Sequence, residues 1–339
     1  MFNALARVAK ATWGLSCEAI EIIYKGAFLS RLTYGPAAWH KAAEGCAIRR
    51  KLSTAQRCAL LRLTKAYRTT STEALQIIAG TLPLDLILNE RATLYHCRRG
   101  KNIVVGNKEY SKNEYKQRPK LDELPKPYNR KVIQLVEQNE EWPLKIYTDG
   151  SKVNMKMEAA FLAIRDNKIV EEKKFQLGDA CSVFQAELIA IERAVQWLAE
   201  LNITAPTIVY SDIRAALCTL EQFNDTNYTT VNIKRLTEQF NLKTQFAWVK
   251  AHAGNPGNER VDRLVKETTL LTEMTYKKIP ITSIKNEIRK VTYHEWQDLW
   301  TKSTKGRNTF WLLPCEEERM TELRWHPFDH ILSQLYTGH

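Results

Sequence analysis

The stretch Leu144-Lys-Ile-Tyr-Thr-Asp149-Gly-Ser151 decides the fold. Its apolar and polar residues alternate as in a β-strand, and Gly150 gives the backbone the freedom to turn off the sheet. Asp149 should therefore stand at the carboxyl end of a strand. In open α/β sheets ligands bind at that end, and a solitary buried carboxylate needs a partner or a metal. The stretch predicts an α/β sheet with an acid placed at its edge.

The composition is that of an ordinary folded chain. With 339 residues, 44% of them hydrophobic and 26% charged, we expect two or three domains. No apolar run is long enough to span a membrane and no signal peptide is recognisable, so we expect an intracellular protein of the nucleus or cytoplasm without membrane contact. The seven cysteines form no Cys-x-x-Cys pair, which argues against structural zinc and for a reducing compartment.

The net charge of +12 is concentrated near the N-terminus. Residues 1–131 carry 24 Lys+Arg against 10 Asp+Glu, a net charge of +14, whereas residues 142–273 carry 16 against 17, a net charge of −1. A field of this kind favours a polyanionic partner, and a solvated helical surface is the alternative explanation. The basic region is therefore a candidate binding surface for single- or double-stranded nucleic acid.

Changes in pattern along the chain predict four regions. Residues 1–100 have apolar positions at three- and four-residue spacing, as in packed helices. Residues 101–141 are polar, lysine-rich and contain several prolines, as in a linker. Residues 142–273 alternate between strand and helix patterns, and residues 274–339 read as an appended helical tail.

Within the α/β region the pattern predicts five strands and four helices. A turn is expected at Asp166-Asn167, between the second and third strands. The predicted strands are 144–149, 158–165, 169–177, 207–212 and 244–252, and the predicted helices are 182–201, 213–223, 230–241 and 258–270.

A second acid ends another strand. Asp212 follows the apolar run that begins at Thr207. If a right-handed crossover joins this strand to the one that ends at Asp149, the strands are parallel neighbours and their acids lie about 4.8 Å apart. Glu187 borders the buried stripe of the intervening helix, so it should point toward the same edge. Three carboxylates so close require a proton or a cation among them.

The last strand leads into a Gly/Pro-rich loop and a helix that add two further groups. Asn258 can cap this helix, and Asp262 lies about one turn into it. His252 precedes the loop, which can move. Ligation by oxygen alone favours Mg²⁺, with Mn²⁺ as the alternative, over zinc. Two such ions would activate water and stabilise the leaving oxygen of a phosphodiester, with the imidazole of His252 as a proton shuttle or leaving-group acid.

Each of these residues also has a simpler explanation when taken alone. Asp149 could cap a turn, Glu187 could be a half-exposed helix acid, and His252 could be an ordinary loop histidine. Asp262 could stabilise the first turn of its helix through the helix dipole. Their joint occurrence in order favours a common site.

Four linked motifs carry a family resemblance. They are Tyr147-Thr-Asp149-Gly-Ser151, Phe184-Gln-Ala-Glu187-Leu, Tyr210-Ser-Asp212, and Trp248-Val-Lys-Ala-His252 with its continuation to Asp262. In order and spacing they resemble the type 1 ribonuclease H family over residues 142–273. The resemblance implies a three-layer ribonuclease H-like fold with a mixed five-stranded sheet. It implies metal-binding carboxylates at Asp149, Glu187, Asp212 and Asp262, a flexible-loop histidine at His252, and an RNA–DNA hybrid whose RNA strand is cleaved.

Candidate substrate contacts follow from the motifs and from the basic region. They are Ser151, Ser211, Asn258, Arg49, Arg50 and Lys51. Two departures from the family pattern affect them: the segment 152–157 is basic and Met-rich where a glycine-bearing turn is usual, and Ile213-Arg214 stands where a small polar pair is commoner.

The flanking regions are similar to segments that follow the reverse transcriptase in non-LTR retrotransposon polyproteins. The similar segments are Lys25-Gly-Ala-Phe28-Leu with its continuation to Trp39, Gly80-Thr-Leu-Pro83-Leu, and Leu335-Tyr-Thr-Gly-His339. No Asp-Asp pair of a polymerase palm is present, so polymerase activity is not expected. Two alternatives to an active hybrid nuclease stay open: an inactive retroelement fragment that binds nucleic acid, and a DNA-cutting relative of the same fold.

Overall fold

A computed structural model describes residues 15–116, 119, 124, 132–137, 142–153, 156–223, 227–267, 274–317 and 330–338. The chain divides into two compact units. The first comprises Met1–Tyr110 with Lys285–His339, and the second comprises Ser111–Ile284. We predicted limits near residues 100, 141 and 273 instead. Most of the predicted linker lies outside the described residues.

The N-terminal part of the first unit is helical, as predicted. Helix α1 (Cys17–Ile23) runs into a π-helical segment (Tyr24–Leu29) and a last α-helical turn (Ser30–Leu32). Four more helices and a short hairpin follow: α2 (Pro36–Ala43), α3 (Cys46–Thr64), α4 (Thr72–Ile78), α5 (Leu84–Arg98), β1 (Ile103–Val105) and β2 (Lys108–Tyr110).

The second unit contains a mixed sheet in the strand order β7-β6-β3-β4-β5-β8. Strands β3, β4 and β5 are antiparallel neighbours, whereas β3–β6, β6–β7 and β5–β8 pair in parallel. The strands are β3 (Leu144–Val153), β4 (Lys156–Arg165), β5 (Lys168–Leu177), β6 (Thr207–Ser211), β7 (Thr244–Trp248) and β8 (Met274–Tyr276). The five predicted strands are confirmed, and the short β8 is a sixth that the sequence pattern did not indicate.

The turn between β4 and β5 is the predicted one. Asp166 and Asn167 have φ angles of 51° and 59°, the left-handed backbone that tight hairpins require and that Asn and Asp tolerate. Strand β3 differs from the prediction, because it continues four residues past Asp149 and pairs with β4 as far as Val153. Its parallel pairing with β6 ends at Thr148 and Ser211. Gly150 therefore lies inside a hairpin strand and does not turn the chain off the sheet.

Helices cover both faces of this sheet. On one face α6 (Val183–Glu200), α7 (Arg214–Glu221) and α8 (Tyr228–Gln239) share a core with the inward residues of β3, β4, β6 and β7. On the other face α9 (Pro256–Lys266) packs through Val261 and Val265 against Tyr147 and Tyr210. The three layers confirm the predicted α/β class.

Part of the predicted linker belongs to this unit. The backbone N–H of Val136 donates to the carbonyl oxygen of Phe246 at 3.0 Å, and that of Ile133 donates to the carbonyl oxygen of Leu220 at 3.1 Å. Ile133 and Leu135 pack against the core on the α6 face of the sheet. Apolar side chains within a polar segment therefore attach residues 132–137 to the edge strand β7.

The predicted helical tail does not stand apart from the first unit. It contains α10 (Ile281–Lys302), α11 (Arg307–Leu312) and α12 (His330–Thr337). Trp296 and Trp300 of α10 are buried in one core with Leu60 and Leu75 from the N-terminal helices. Among the described residues, no helix combines the length and the apolar character that crossing a membrane would require.

A glycine at the start of α9 lets this helix approach the sheet. A Cβ atom on Gly257 would lie within 3.0 Å of the Tyr147 ring. We therefore expect Gly257→Ala to lower the free energy of unfolding by about 1–3 kcal/mol through overpacking, measured by urea denaturation. Gly178→Ala is the control, because the nearest atom to its Cβ would be 3.6 Å away. Equal effects of the two substitutions would contradict the proposed contact.

Candidate active site

Two acids arrive at the sheet edge through the parallel register of β3 and β6. Thr148 pairs with Ser211 in that register. The next residue after each of them is an acid: Asp149 follows Thr148, and Asp212 follows Ser211. The hydroxyl of Thr148 donates to the carbonyl oxygen of Tyr210 at 2.9 Å and ties the strands together just before the acids. The parallel pairing predicted for these strands is confirmed.

Glu187 reaches the same edge from the helix on the opposite face to α9. Helix α6 lies so close to β3 that a Cβ atom on Gly150 would lie within 3.0 Å of the Glu187 backbone nitrogen. The backbone N–H of Gly150 also donates a hydrogen bond to the side-chain Oε1 of Glu187 at 2.9 Å. The hydroxyl of Ser211 donates to Glu187 Oε2 at 3.3 Å. Both carboxylate oxygens are therefore held.

The three acids form one cluster. Carboxylate oxygens of Asp149, Glu187 and Asp212 all lie within 4.8 Å of one another. Asp149 is 8% exposed and Glu187 is 1% exposed, so little water separates them. Oδ2 of Asp149 is buried and has no hydrogen-bond partner among the described residues. Buried anions at this range need a proton or a cation.

The pKa values of the cluster are displaced in the direction that this crowding predicts. Burial, with further contributions from the charges of Asp212 and Asp262, raises the pKa of Asp149 to about 6. Burial and the neighbouring charges of Asp149 and Asp212 raise the pKa of Glu187. Burial also raises the pKa of Asp212, and a hydrogen bond from the Asn258 side chain partly offsets the rise.

A fourth acid lies close by on α9. Asp262 is outside the group of three whose oxygens approach within 4.8 Å, and its carboxylate forms an ion pair with Lys266 at 2.7 Å. Its charge nonetheless raises the pKa of both Asp149 and Asp212. All four predicted acids therefore face one region of the sheet edge, with Asp262 at its rim.

Comparison with known proteins agrees with this arrangement. A ribonuclease H family model matches residues 141–269. The Pol polyprotein from type-1 retrotransposable element R1 4 of Nasonia vitripennis is 39% identical over 106 residues, 31% of this chain and 26% of that protein. A putative 115 kDa protein in element R1DM of Drosophila melanogaster is 41% identical over 98 residues, 29% of this chain and 10% of that protein.

Residues 141–269 form a ribonuclease H domain, and the chain is similar to parts of the two retrotransposon proteins. The chain thus spans about a quarter of the first relative and a tenth of the second. A solved prototype foamy virus protease–reverse transcriptase aligns with a TM-score of 0.34 and 15% identity, covering 41% of this chain and 22% of that one. The family match lies within 141–269, and the resemblance of the flanking regions to reverse-transcriptase-associated segments stays a prediction.

The loop between β7 and α9 of the ribonuclease H domain carries His252. This residue is exposed and has a φ of 51°, a left-handed backbone that is uncommon outside glycine but that His, like Asn and Asp, adopts more often than other residues. Its charge lowers the pKa of Asp212, so His252 interacts electrostatically with the cluster. Gly254 follows with a φ of 78° and no atom within 4 Å of a Cβ placed there.

The structure corrects the helix cap that we assigned to Asn258. Asn255 is the N-cap of α9, and its side chain accepts hydrogen bonds from the backbone N–H groups of Gly257 at 3.1 Å and Asn258 at 3.3 Å. Asn258 is buried within the first turn, where its side chain bonds Asp212 and its Oδ1 atom has no partner among the described residues. Its observed contact is with an acid of the cluster.

The remaining candidate substrate contacts occupy different environments. Ser211 is fully buried and its hydroxyl bonds Glu187. Ser151 is half-buried on β3, two residues past Asp149. The other three, Arg49, Arg50 and Lys51, lie on α3 in the first unit, where Arg49 forms an ion pair with Asp85 at 3.1 Å.

Some supporting residues of the ribonuclease H domain were missed in the sequence. The indole N–H of Trp248 donates to the Asp212 carbonyl oxygen at 2.8 Å. The rings of Tyr147 and Tyr210 stack with centroids 5.0 Å apart, beneath Gly257 of α9. The alternation of β3 and β6 places both tyrosines on the α9 face, but their mutual contact depends on a register that only the folded sheet defines.

The raised pKa of Asp149 predicts a pH-dependent stability for the metal-free protein. Because the folded state binds this proton more tightly than the unfolded chain does, the stabilising contribution is present below pH 4 and lost as the pH rises through about 6. Asp149→Asn removes the part of the dependence that Asp149 contributes, whereas the raised pKa values of Glu187 and Asp212 remain a source of pH dependence. In urea denaturation with EDTA, we expect the stability of the variant relative to the wild type to increase by about 1–3 kcal/mol between pH 4.5 and pH 7.

The exposed Asp179 on the same domain provides the control. Asp179→Asn should show the same pH dependence as the wild type, because its carboxylate is outside the cluster. A constant difference between Asp149→Asn and the wild type at both pH values would contradict the assignment of Asp149 as a proton-holding member of the cluster.

Proposed function

We propose that the ribonuclease H domain cleaves the RNA strand of RNA–DNA hybrids in a reaction that depends on divalent metal ions. The observation that carries the proposal is the buried cluster of Asp149, Glu187 and Asp212, with oxygens within 4.8 Å of one another. Ribonuclease H domains are metal-dependent and act on hybrids, so the family match and the geometry support the same chemistry.

The donor set fits a hard cation. All three residues offer oxygen ligands, which Mg²⁺ and Mn²⁺ prefer, and no His or Cys lies within the three-residue group. The buried, unpartnered Oδ2 of Asp149 is an unused ligand atom. We propose that Asp149, Glu187 and Asp212 hold the metal, with Asp262 as a fourth carboxylate. Two ions held there would supply an activated water and would stabilise the leaving oxygen of a phosphodiester.

The surrounding residues hold the ligands in place before any ion binds. Gly150 and Ser211 each donate a hydrogen bond to Glu187. Asn258 bonds the side chain of Asp212, and Trp248 bonds its carbonyl oxygen. Such outer contacts fix the orientation of ligating carboxylates and reduce the cost of ordering them around a cation. Ser211 and Asn258 are therefore positioning residues in this proposal.

His252 is proposed to move the proton that the reaction requires. It is exposed on a glycine-containing loop, and its charge lowers the pKa of Asp212. An imidazole at the rim can protonate the leaving oxygen and exchange its proton with water. Ser151, half-buried beside Asp149, is the proposed contact to the RNA sugar, whose 2′-hydroxyl distinguishes RNA from DNA.

Removal of one ligand charge should abolish cleavage. We expect Asp149→Asn to lower the rate on a labelled RNA–DNA hybrid at least about 1,000-fold in Mg²⁺, because the ion loses a central ligand. EDTA should stop the wild type, and Asp179→Asn should cleave normally. If the wild type binds the hybrid without cleaving it in Mg²⁺ or Mn²⁺, the chain is a binding module. Cleavage of duplex DNA but not of the hybrid would indicate a DNA nuclease.

Loss of the proton-transfer group should have a smaller effect. We expect His252→Ala to reduce the maximal rate about 10- to 100-fold while the Michaelis constant changes little, since general acid catalysis contributes about 100- to 10,000-fold and water can partly substitute. An unchanged maximal rate with a raised Michaelis constant would instead indicate that His252 only contacts the substrate.

A further inference from the structure

The first unit contains a polar cavity of about 720 Å³. Four separate segments line it: part of α3, the stretch before and within the start of α4, the stretch around the start of α11, and Thr337 at the end of α12. The lining includes many hydroxyl groups, and none of its described residues is aromatic. A cavity of this size can hold a nucleotide-sized group, and its polar lining favours a polar ligand.

Positive charge dominates the lining. Arg57, Lys305 and Arg307 face Glu73, the single carboxylate of the lining residues. None of the three basic side chains forms an ion pair within the described part of the chain. The cavity therefore has a surplus of cationic hydrogen-bond donors without an internal counter-charge.

Two of these cations are held in fixed positions. The guanidinium of Arg57 donates to the hydroxyl of Thr72 at 3.3 Å and to the carbonyl oxygen of Arg68. The guanidinium of Arg307 donates to the carbonyl oxygen of Ser303 at 2.8 Å and lies 3.6 Å from the Phe310 ring centre. A guanidinium has five N–H donors, so each keeps donors for an anion while its orientation is set.

One buried hydroxyl in the lining lacks a partner. Thr70 is 3% exposed, and its Oγ1 atom has no hydrogen-bond partner among the described residues. An unsatisfied buried polar group costs about 1–3 kcal/mol, so native structures rarely retain one without a reason. An acceptor atom of a ligand in the cavity would satisfy it.

The cavity is shaped by a close approach between distant parts of the chain. Gly306 has a φ of 67°, and a Cβ atom there would lie within 3.0 Å of Ser71 Oγ and of Ala74 Cβ. The glycine thus lets the segment before α11 lie against the segment that begins α4. This approach brings Lys305 and Arg307 to the same cavity as Arg57 and Thr70.

We propose that this cavity binds a phosphate group of a nucleic-acid strand. Arginine, lysine and hydroxyl donors are the groups that recognise phosphate oxygens. The described part of the lining has no aromatic side chain, which points to the sugar–phosphate backbone and away from base stacking. Residues 1–110 carry 17 Lys+Arg against 7 Asp+Glu, a net charge of +10, which favours the approach of a polyanion. The proposal is independent of the cleavage chemistry.

The main test measures binding of the full chain to a labelled single-stranded RNA of about 20 nucleotides, in EDTA, by fluorescence anisotropy. We expect Arg57→Gln/Lys305→Gln to weaken binding about tenfold. The slope of log affinity against log salt should fall by about 1.4, or 0.7 for each lost phosphate contact. The matched control Arg62→Gln/Lys290→Gln removes the same charge from α3 and α10 outside the cavity lining. Equal losses in both double variants would overturn the proposal.

Two single variants test the cavity without a general loss of positive charge. Thr70→Val keeps the side-chain shape and removes the unpartnered hydroxyl, so it should leave the melting temperature unchanged or higher while it weakens RNA binding several-fold. Glu73→Gln should tighten RNA binding, because it removes the carboxylate that opposes phosphate. Unchanged RNA affinity in Thr70→Val, measured on a folded variant, would overturn the proposal.

An experiment with inorganic phosphate distinguishes a free phosphate ligand from a phosphate group of a nucleic-acid strand. We expect phosphate to raise the melting temperature of the wild type less than RNA does, and to compete with RNA for the cavity. If phosphate raises the melting temperature of the wild type but not of Thr70→Val, while Arg57→Gln/Lys305→Gln binds RNA normally, the cavity is a small-anion site and the nucleic-acid assignment is wrong.

Discussion

Mutual repulsion among Asp149, Glu187 and Asp212 is the constraint on which the second unit depends. Their carboxylate oxygens lie within 4.8 Å of one another, and two of the residues are almost fully buried. Without a counter-ion the cluster opposes folding, so the rest of the unit must hold it together. Three of the holding contacts come from groups with no charge of their own: the Gly150 N–H, the Ser211 hydroxyl and the Asn258 amide.

The two units carry opposite kinds of charged site. In the second unit, acids converge where the parallel pairing of β3 and β6 ends, and the cluster has an excess of acceptors. In the first unit, a cavity lined by Arg57, Lys305 and Arg307 has an excess of donors. The acids are a largely buried set of acceptors that requires a proton or a cation, whereas Lys305 and Arg307 are exposed cations that, in our proposal, bind a phosphate group. The uneven distribution of charge along the chain thus reflects the acids required at one site and the basic residues required at the other.

Local pattern predicted the sheet and the placement of its acids because strand alternation and crossover geometry act over short stretches. It failed where the decisive contact is distant. Strand β3 continues past Asp149 because β4 supplies a pairing partner. Asn255 caps α9 and leaves Asn258 to bond Asp212. Trp300 fills a core with Leu60, and no periodicity within the last 66 residues indicates that partner. The cavity around Thr70 is equally invisible in the sequence, since Gly306 closes it from far along the chain.

The spread of the acids along the chain determines when their cluster can exist. Asp149 lies on β3, while Asp212 follows β6, which pairs with β3 only after the whole of α6 has been made. Asp262 comes later still, on α9. Contacts of such high sequence separation form late in folding, and chains grow at about 5–20 residues per second. A nascent chain that ends before β6 therefore lacks Asp212 and cannot assemble the cluster of Asp149, Glu187 and Asp212.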